Sequence, residues 1–119
     1  RFRQFHQIGA EVIGSYSAGT DAETIIWIRD YFKLLGVSDW KLKINSAGCD
    51  RCRPAYAMQL RSELANKIGG MCSDCQRRYK RNIFRVLDCK QPRCREVISR
   101  LPVIQDFLCP KCREHFEEL

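Results

Sequence analysis

The chain carries eight cysteines, and six of them form three C-x-x-C doublets. The doublets are Cys49 with Cys52, Cys72 with Cys75, and Cys109 with Cys112, and the more widely spaced fourth pair is Cys89 with Cys94. Two thiolates of a C-x-x-C turn can bind one zinc ion, and two such pairs close a tetrahedral site. The eight cysteines therefore predict one or two zinc ions of structural type, because four thiolates leave no open coordination position for water or substrate.

Disulfide bonds and a redox-active thiol pair are the alternatives to metal at these cysteines. The sequence has no secretory signal pattern and no apolar run of about 18 residues, which a membrane span would need. We therefore expect a cytoplasmic protein that does not enter the membrane and keeps its thiols reduced, which favours metal over disulfides. A redox site usually uses one C-x-x-C motif, so the repeated doublets argue against that role.

The sequence allows three ways to group the four cysteine pairs into two metal sites. If residues 41–46 and 83–88 form neighbouring parallel strands, the first doublet and the Cys89–Cys94 pair lie at the same edge of the sheet. The second and third doublets would then meet each other. We expect this grouping, while a single shared site with spare thiols stays open as an alternative.

The N-terminal residues 1–13 alternate with period two, which predicts a β-strand. One face of that strand would carry Arg1, Phe5, Gln7 and Glu11, with Gly9 as a gap. A carboxylate and an amide beside a gap could bind a small ligand with an ammonium group, while the aromatic ring could stack on a base and the arginine could meet a phosphate. The alternative is a solvent-facing sheet surface with cross-strand ion pairs.

The remaining segments predict helices interleaved with two further short strands. Thr20 with Glu23 makes a capping box for a helix that would end before Gly36. Pro54 suits the first turn of a second helix, whose apolar stripe is Tyr56, Leu60, Leu64 and Ile68. With strands at 41–46 and 83–88, this order predicts a small α/β unit.

The chain is basic, with a formal charge of +7 at pH 7, and the charge is concentrated in its second half. A short helix after Cys75 would present Arg77, Arg78, Lys80 and Arg81. A basic face favours a polyanion such as nucleic acid. A solvated face that aids solubility is the alternative.

The block RFRQFHQIGAEVIG resembles the second arm of motif 2 in class II aminoacyl-tRNA synthetases, specifically the histidyl-tRNA synthetases. The resemblance continues through DAETIIWIRDYFKLLGV, KLKINSAG, CRPAY, RNIFRVLDCK and CREHFEEL, and so covers essentially all 119 residues. It implies an α+β fold in which residues 1–48 are part of the antiparallel catalytic sheet and residues 49–119 form a small zinc-stabilised α/β insertion domain. The chain begins at Arg1 without a methionine, so we expect a fragment of a longer protein.

The resemblance also implies roles for individual residues. Positions matching Gln7 and Glu11 bind histidine in that family, the position matching Phe5 stacks on the adenine of ATP, and the arginine matching Arg1 is directed at the ATP phosphates. The insertion domain reaches toward the acceptor stem of tRNA(His), which would make Arg77, Arg78, Lys80 and Arg81 tRNA contacts. The implied reaction forms histidyl-adenylate from histidine and ATP with Mg²⁺, and then transfers histidine to tRNA(His).

Other blocks that this activity needs in the family are absent from these residues, so the chain alone is not expected to charge tRNA. Members of that family act as dimers, so we expect the parent protein to be a homodimer. Two further functions stay open at this point. One is a synthetase-like regulatory subunit of histidine biosynthesis without catalysis, and the other is a free-standing zinc-binding RNA module.

Overall fold

The computed structural model describes residue 4 and residues 6–119, and the regular elements of that part of the chain are helices. The five α-helices are α1 (Ala18–Leu34), α2 (Cys52–Leu64), α3 (Ser73–Arg81), α4 (Pro92–Ile98) and α5 (Pro110–Glu118). Three 3-10 helices cover Ile68–Gly70, Ile83–Val86 and Ile104–Phe107. Among the described residues, no helix has the length and apolar character needed to cross a bilayer.

The predicted α+β and α/β fold classes are wrong, because the described residues contain no strand and no sheet. Of the predicted first strand, residues 1–3 and 5 lie outside the described part, and residues 6–13 are exposed without regular structure. Residues 41–46 also have none. An alternating pattern produces a strand only where a neighbouring strand takes up its backbone hydrogen bonds, and none of the described segments does so.

The predicted strand at 83–88 is a 3-10 helix over Ile83–Val86. Ile83 and Val86 are both buried, and their three-residue spacing places them on one side of a 3-10 helix rather than on one face of a strand. The Asn82 side chain starts this helix by accepting a hydrogen bond of 3.2 Å from the Phe84 backbone N–H. The period of the buried residues therefore explains why the strand prediction failed.

The described chain divides into two compact units. One unit contains the residues up to Asn45 together with Glu114–Leu119, and the other contains Ser46–Arg113. The chain thus leaves the first unit, forms the second, and returns. The predicted assignment of residues 1–48 to a catalytic domain and 49–119 to an insertion domain concerns a larger protein and stays a prediction.

In the first unit, α1 begins after Ser17, three residues before the predicted cap at Thr20. Thr20 lies inside the helix, where its hydroxyl contacts Ser15 Oγ at 2.9 Å, so the predicted capping box is wrong. The predicted end is confirmed. Gly36 has a φ of 72°, and the Val37 N–H donates to the Phe32 carbonyl at 2.9 Å, as expected for a helix closed by a glycine in the left-handed region.

The second unit contains the hydrophobic core. Tyr56, Leu60 and Leu64 of α2 are buried as one stripe, as the helical spacing predicted, and Ile68 packs against it from the following 3-10 helix. The other buried members of this core are Met71, Cys75, Ile83, Val86, Cys89, Cys94 and Leu101. Three cysteines are therefore core residues, so whatever they bind is enclosed by the same apolar side chains.

Candidate metal centres

The eight cysteines form two groups of four, and both lie in the second unit. The outer group is Cys49, Cys52, Cys109 and Cys112, and the inner group is Cys72, Cys75, Cys89 and Cys94. Within each group the four sulfur atoms lie within 4.8 Å of one another. Every cysteine of the chain therefore belongs to a complete four-thiol group.

The grouping differs from the one that the sequence analysis favoured, which joined the first doublet to the Cys89–Cys94 pair. That expectation depended on two parallel strands, and neither strand exists. Instead, the 3-10 helix at Ile83–Val86 packs beside α3 and brings Cys89 to Cys72, its partner 17 positions earlier. The first and third doublets then meet across 60 positions, between Cys49 and Cys109. The cysteine pairs of the inner group are therefore close together in the sequence, whereas those of the outer group are far apart.

The three C-x-x-C doublets share one local structure, because each stands at the start of an α-helix. In each doublet the carbonyl of the first cysteine accepts the N–H four residues later: Arg53 to Cys49 at 3.0 Å, Gln76 to Cys72 at 3.1 Å, and Arg113 to Cys109 at 2.9 Å. Free N–H groups and the positive end of the helix dipole stabilise negative charge at such positions. The local folding of the sequence thus favours thiolates at Cys49 and Cys72, the first cysteines of the first two doublets.

The outer group is held together by contacts between its two doublets. Cys49 Sγ lies 3.5 Å from Cys52 Sγ and 3.9 Å from Cys109 Sγ. The Cys109 backbone N–H donates to Cys52 Sγ at 3.1 Å, a bond that crosses from one doublet to the other. Only Cys52 of this group is fully buried, while Cys49, Cys109 and Cys112 are partly exposed.

The inner group has the same kind of crossed contact but a different environment. The Cys72 backbone N–H donates to Cys94 Sγ at 3.4 Å, and Cys72 Sγ lies 3.8 Å from Cys89 Sγ. Cys75, Cys89 and Cys94 are buried in the hydrophobic core, and Cys72 is partly buried beside it. Three of its four cysteines thus lie among apolar core side chains, and the fourth packs against them.

The sulfur spacing in both groups fits a tetrahedral zinc ion. A Zn–S bond of about 2.3 Å requires neighbouring sulfurs about 3.8 Å apart in a tetrahedron. The measured distances of 3.5, 3.8 and 3.9 Å lie close to that value. The donor set of four thiols is typical of structural zinc, and it leaves no coordination position for chemistry.

The thiols of each group divide into easily and poorly ionised ones. Backbone N–H groups, of Arg51 first and then of Cys52, lower the pKa of Cys49 to about 6, and the N–H of Cys75 lowers the pKa of Cys72 to about 7. The Cys109 thiol, through a hydrogen bond, raises the pKa of Cys112 to about 12, and burial raises the pKa of Cys75. Each group therefore resists holding four thiolates unless a cation is present.

The predicted ligand-binding residues near the N-terminus are only partly described. Gln7 and Glu11 are both exposed, and Arg1 and Phe5 lie outside the described residues. A shared face of Gln7 and Glu11 depended on a strand, and the described residues 6–13 form none. The roles of these four residues stay predictions.

The predicted tRNA-contact residues lie on α3 and differ in their surroundings. Arg77 forms an ion pair with Asp74 at 2.5 Å, and Arg78 donates to the Arg85 carbonyl at 3.1 Å. Lys80 and Arg81 are exposed and make no ion pair within the described residues. The most available positive charges are thus those of Lys80 and Arg81.

A surface groove of about 480 Å³ runs beside α3. It is lined by Ile68, Gly69, Ser73, Gln76, Arg77, Tyr79 and Lys80. The Gln76 side-chain N–H group donates to the carbonyls of Gly69 and Met71 at 3.3 and 3.0 Å, which fixes the groove wall. This groove could not be predicted from the sequence, because it forms where the 3-10 helix at Ile68–Gly70 packs against α3.

Gly48 is a further residue that the sequence analysis did not assign. Its φ is 65°, and a β-carbon at this position would lie 2.8 Å from Cys52 Cβ and 3.5 Å from Ile104 Cδ1. Glycine is thus required both by the backbone conformation and by the close approach to α2. A glycine directly before a C-x-x-C doublet was the signal in the sequence.

Two four-thiol groups on short helices, with cysteines inside the core, define a small cysteine-rich domain in which each group could hold a metal ion. No protein-family model matches the chain. The chain is 49% identical over 119 residues to histidine–tRNA ligase of Thermodesulfovibrio yellowstonii and 52% identical over 117 residues to that of Solibacter usitatus. It is 48% identical over 119 residues to histidine–tRNA ligase of Desulfosudis oleivorans.

These alignments cover 98–100% of this chain and 28% of each relative. The chain therefore aligns over nearly its whole length with about a quarter of each relative's length, and the resemblance to histidyl-tRNA synthetases predicted from its sequence is confirmed.

Proposed function

We propose that this chain is part of a histidine–tRNA ligase, which activates histidine with ATP and transfers it to tRNA(His). The observation that carries this proposal is the identity of 48–52% across the whole chain to proteins of that name. Because the chain spans 28% of those relatives, the activity belongs to a longer protein. The family resemblance further supports a cytoplasmic homodimer as its working state.

In this proposal the N-terminal residues contribute to the synthetase active site. Gln7 and Glu11 bind histidine, with the Glu11 carboxylate attracting its ammonium group. Phe5 stacks on the adenine, and Arg1 meets the ATP phosphates. Negative charge develops on the α-phosphate during attack by histidine, and arginine with Mg²⁺ stabilises that charge. The exposure of Gln7 and Glu11 leaves both side chains available for such contacts.

The test is histidine-dependent exchange of pyrophosphate into ATP, measured on the full-length protein. Exchange that is lost in Glu11→Ala and retained in Glu23→Ala, an exposed carboxylate on α1, would support the proposal. Absence of exchange in a folded, zinc-loaded protein would contradict it and favour the regulatory subunit that lacks catalysis.

We propose that α3 contacts the backbone of tRNA(His) through Lys80 and Arg81. Phosphate contacts by lysine and arginine position a nucleic acid without reading its bases. Arg77 is partly neutralised by Asp74, and Arg78 joins α3 to Arg85, so these two also shape the local structure. Arg77 and Lys80 both line the groove beside α3, so their positive charges lie on one surface.

The matching experiment compares two double variants of the full-length protein. Lys80→Ala with Arg81→Ala should raise the KM for tRNA, leave adenylate formation unchanged, and lower the salt dependence of tRNA binding by about one unit of slope per residue. Lys41→Ala with Lys43→Ala removes the same charge from exposed positions outside the second unit and serves as the control. Equal effects of the two pairs would contradict the assignment.

We propose that zinc in the outer and inner groups stabilises the second unit and does no chemistry. The tetrahedral sulfur spacing and the complete four-thiol donor sets support this role. Three of the inner cysteines replace apolar side chains in a small core, so metal supplies stability that a core of this size lacks. Removal of all zinc by a chelator should unfold residues 49–119, and unchanged circular dichroism after verified zinc loss would contradict this.

A further inference from the structure

We propose that the outer group is an exchangeable and oxidisable metal site, whereas the inner group is a permanent part of the core. This inference rests on the proposed zinc binding and assigns different roles to the two sites. The outer metal would be lost first, to a chelator or to a peroxide, and the folded core around the inner metal would survive that loss.

The first observation is the difference in exposure. Three of the four outer cysteines are partly exposed, whereas three of the four inner cysteines are buried. The exposed fraction is 0% for Cys75, 5% for Cys89 and 1% for Cys94. A reagent must reach a sulfur atom in order to compete for its metal or to oxidise it. Cys49, Cys109 and Cys112 meet this condition in the folded protein, whereas of the inner cysteines only Cys72 does.

The second observation is the packing of each group. Cys75, Cys89 and Cys94 belong to the same core cluster as Leu60 and Val86. Loss of the inner metal would leave mutually repelling thiolates, or unpaired thiols, among those apolar side chains. No outer cysteine belongs to that cluster, so opening the outer group leaves its members in contact.

The third observation is that other contacts hold the C-terminal part of the second unit when the outer group opens. The Tyr56 hydroxyl donates to the Pro102 carbonyl at 3.0 Å, and the rings of Tyr56 and Phe107 lie 5.4 Å apart. Leu101 is a buried member of the core. These contacts anchor the chain just before Cys109, so release of the outer group frees only the ends of the unit.

Oxidation would begin at Cys49, which is partly exposed and whose sulfur atom lies 3.5 Å from that of Cys52, the partner in the disulfide. Hydrogen peroxide would take two electrons from these two thiolates, a sulfur–sulfur bond would form, and the peroxide O–O bond would break. With two protons from solvent, the peroxide becomes two water molecules. The zinc ion, having lost two of its four ligands, would leave to solvent. A thiol reductant and free Zn²⁺ would restore the site.

The experiment uses the zinc-loaded 119-residue chain and adds hydrogen peroxide in steps. Zinc release is followed with a chromogenic chelator, helicity by circular dichroism, and the oxidised cysteines by peptide mass mapping. We expect release of one of two zinc equivalents with helicity retained, a Cys49–Cys52 disulfide, and recovery with dithiothreitol and Zn²⁺. Simultaneous release of both equivalents, or first oxidation within the inner group, would overturn the proposal.

A matched pair of variants tests the same inference without an oxidant. Cys112→Ser should bind one zinc ion and keep the helical signal, and Cys94→Ser should lose cooperative unfolding. If Cys112→Ser does not fold, the order of cysteine alkylation during chelation of the unaltered chain decides, with Cys49 and Cys112 expected before Cys75 and Cys94. A chain that binds no zinc would overturn the proposed metal role together with this inference, whereas two equally labile ions would overturn the inference alone.

Discussion

Arg61 and Tyr79 bind each other's backbone in both directions. The Arg61 guanidinium donates to the Tyr79 carbonyl at 2.8 Å, and the Tyr79 hydroxyl donates to the Arg61 carbonyl at 3.1 Å. The guanidinium also lies 5.6 Å from the centre of the Tyr79 ring. These contacts join α2 to α3, and so connect the helix that carries Cys52 to the helix that carries Cys75.

Tyr79→Phe should destabilise the zinc-loaded chain by about 0.5–1 kcal/mol, because it removes one hydrogen bond at a solvent-accessible position and keeps the ring. The measurement is the free energy of unfolding in urea. Tyr16→Phe is the control, since the Tyr16 side chain is 93% exposed. Equal values for the two variants would show that the Tyr79 hydroxyl contributes nothing.

Gly48→Ala should weaken zinc binding at the outer group, because alanine is strained at a φ of 65° and its β-carbon would lie 2.8 Å from Cys52 Cβ. Zinc stoichiometry and competition with a chelator measure the effect. Gly69→Ala is the matched control, as its β-carbon would meet no atom within 4 Å. The prediction fails if both alanine variants keep two zinc ions of unchanged affinity.

Leu64→Ala should lower the free energy of unfolding by about 2–5 kcal/mol, because it leaves a cavity beneath α2. Leu64 is fully buried in the core, whereas Met58 on the same helix is 69% exposed. Met58→Ala should therefore change stability little. Denaturant unfolding of both variants in excess zinc separates the packing effect from metal loss. Similar decreases in the free energy of unfolding for the two variants would contradict the assignment of Leu64 to the core.

Zinc affinity should rise with pH from about pH 5 to about pH 8, because bound zinc requires thiolates and acid supplies competing protons. Above its pKa of about 6, Cys49 adds little to this dependence, as it is already ionised. Cys112, with a pKa of about 12, must lose its proton on binding throughout the range. Competition with a chelator of known proton affinity gives the slope, and a flat profile would contradict thiolate ligation.

The helices of the second unit could be predicted from the sequence more fully than the grouping of the cysteines. The stripe of Tyr56, Leu60 and Leu64 depends on spacing within one element, so local periodicity was sufficient. The pairing of Cys72 with Cys89 depends on how a 3-10 helix packs against α3, which is a tertiary contact. Ile83 and Val86 show the difficulty, since a short apolar run fits a strand and a 3-10 helix equally well until its buried side is known.

The strand prediction for the N-terminal segment was wrong for a different reason. Period-two alternation in residues 1–13 describes which side chains would share a face if a strand formed, and a strand requires a partner. The described residues supply none next to Gln7 and Glu11. The family resemblance, and not the fold of this segment, is what connects these two residues with histidine.

The crossed bond from the Cys109 N–H to Cys52 Sγ brings together two points of the chain 57 positions apart, near the two ends of the second unit. Residues of the first unit lie on both sides of this stretch in the sequence. A segment whose own ends already meet imposes little extra loop-closure entropy on the protein that hosts it. The outer group would thus let the second unit be gained, lost or exchanged as a module, with little cost to the folding of the rest.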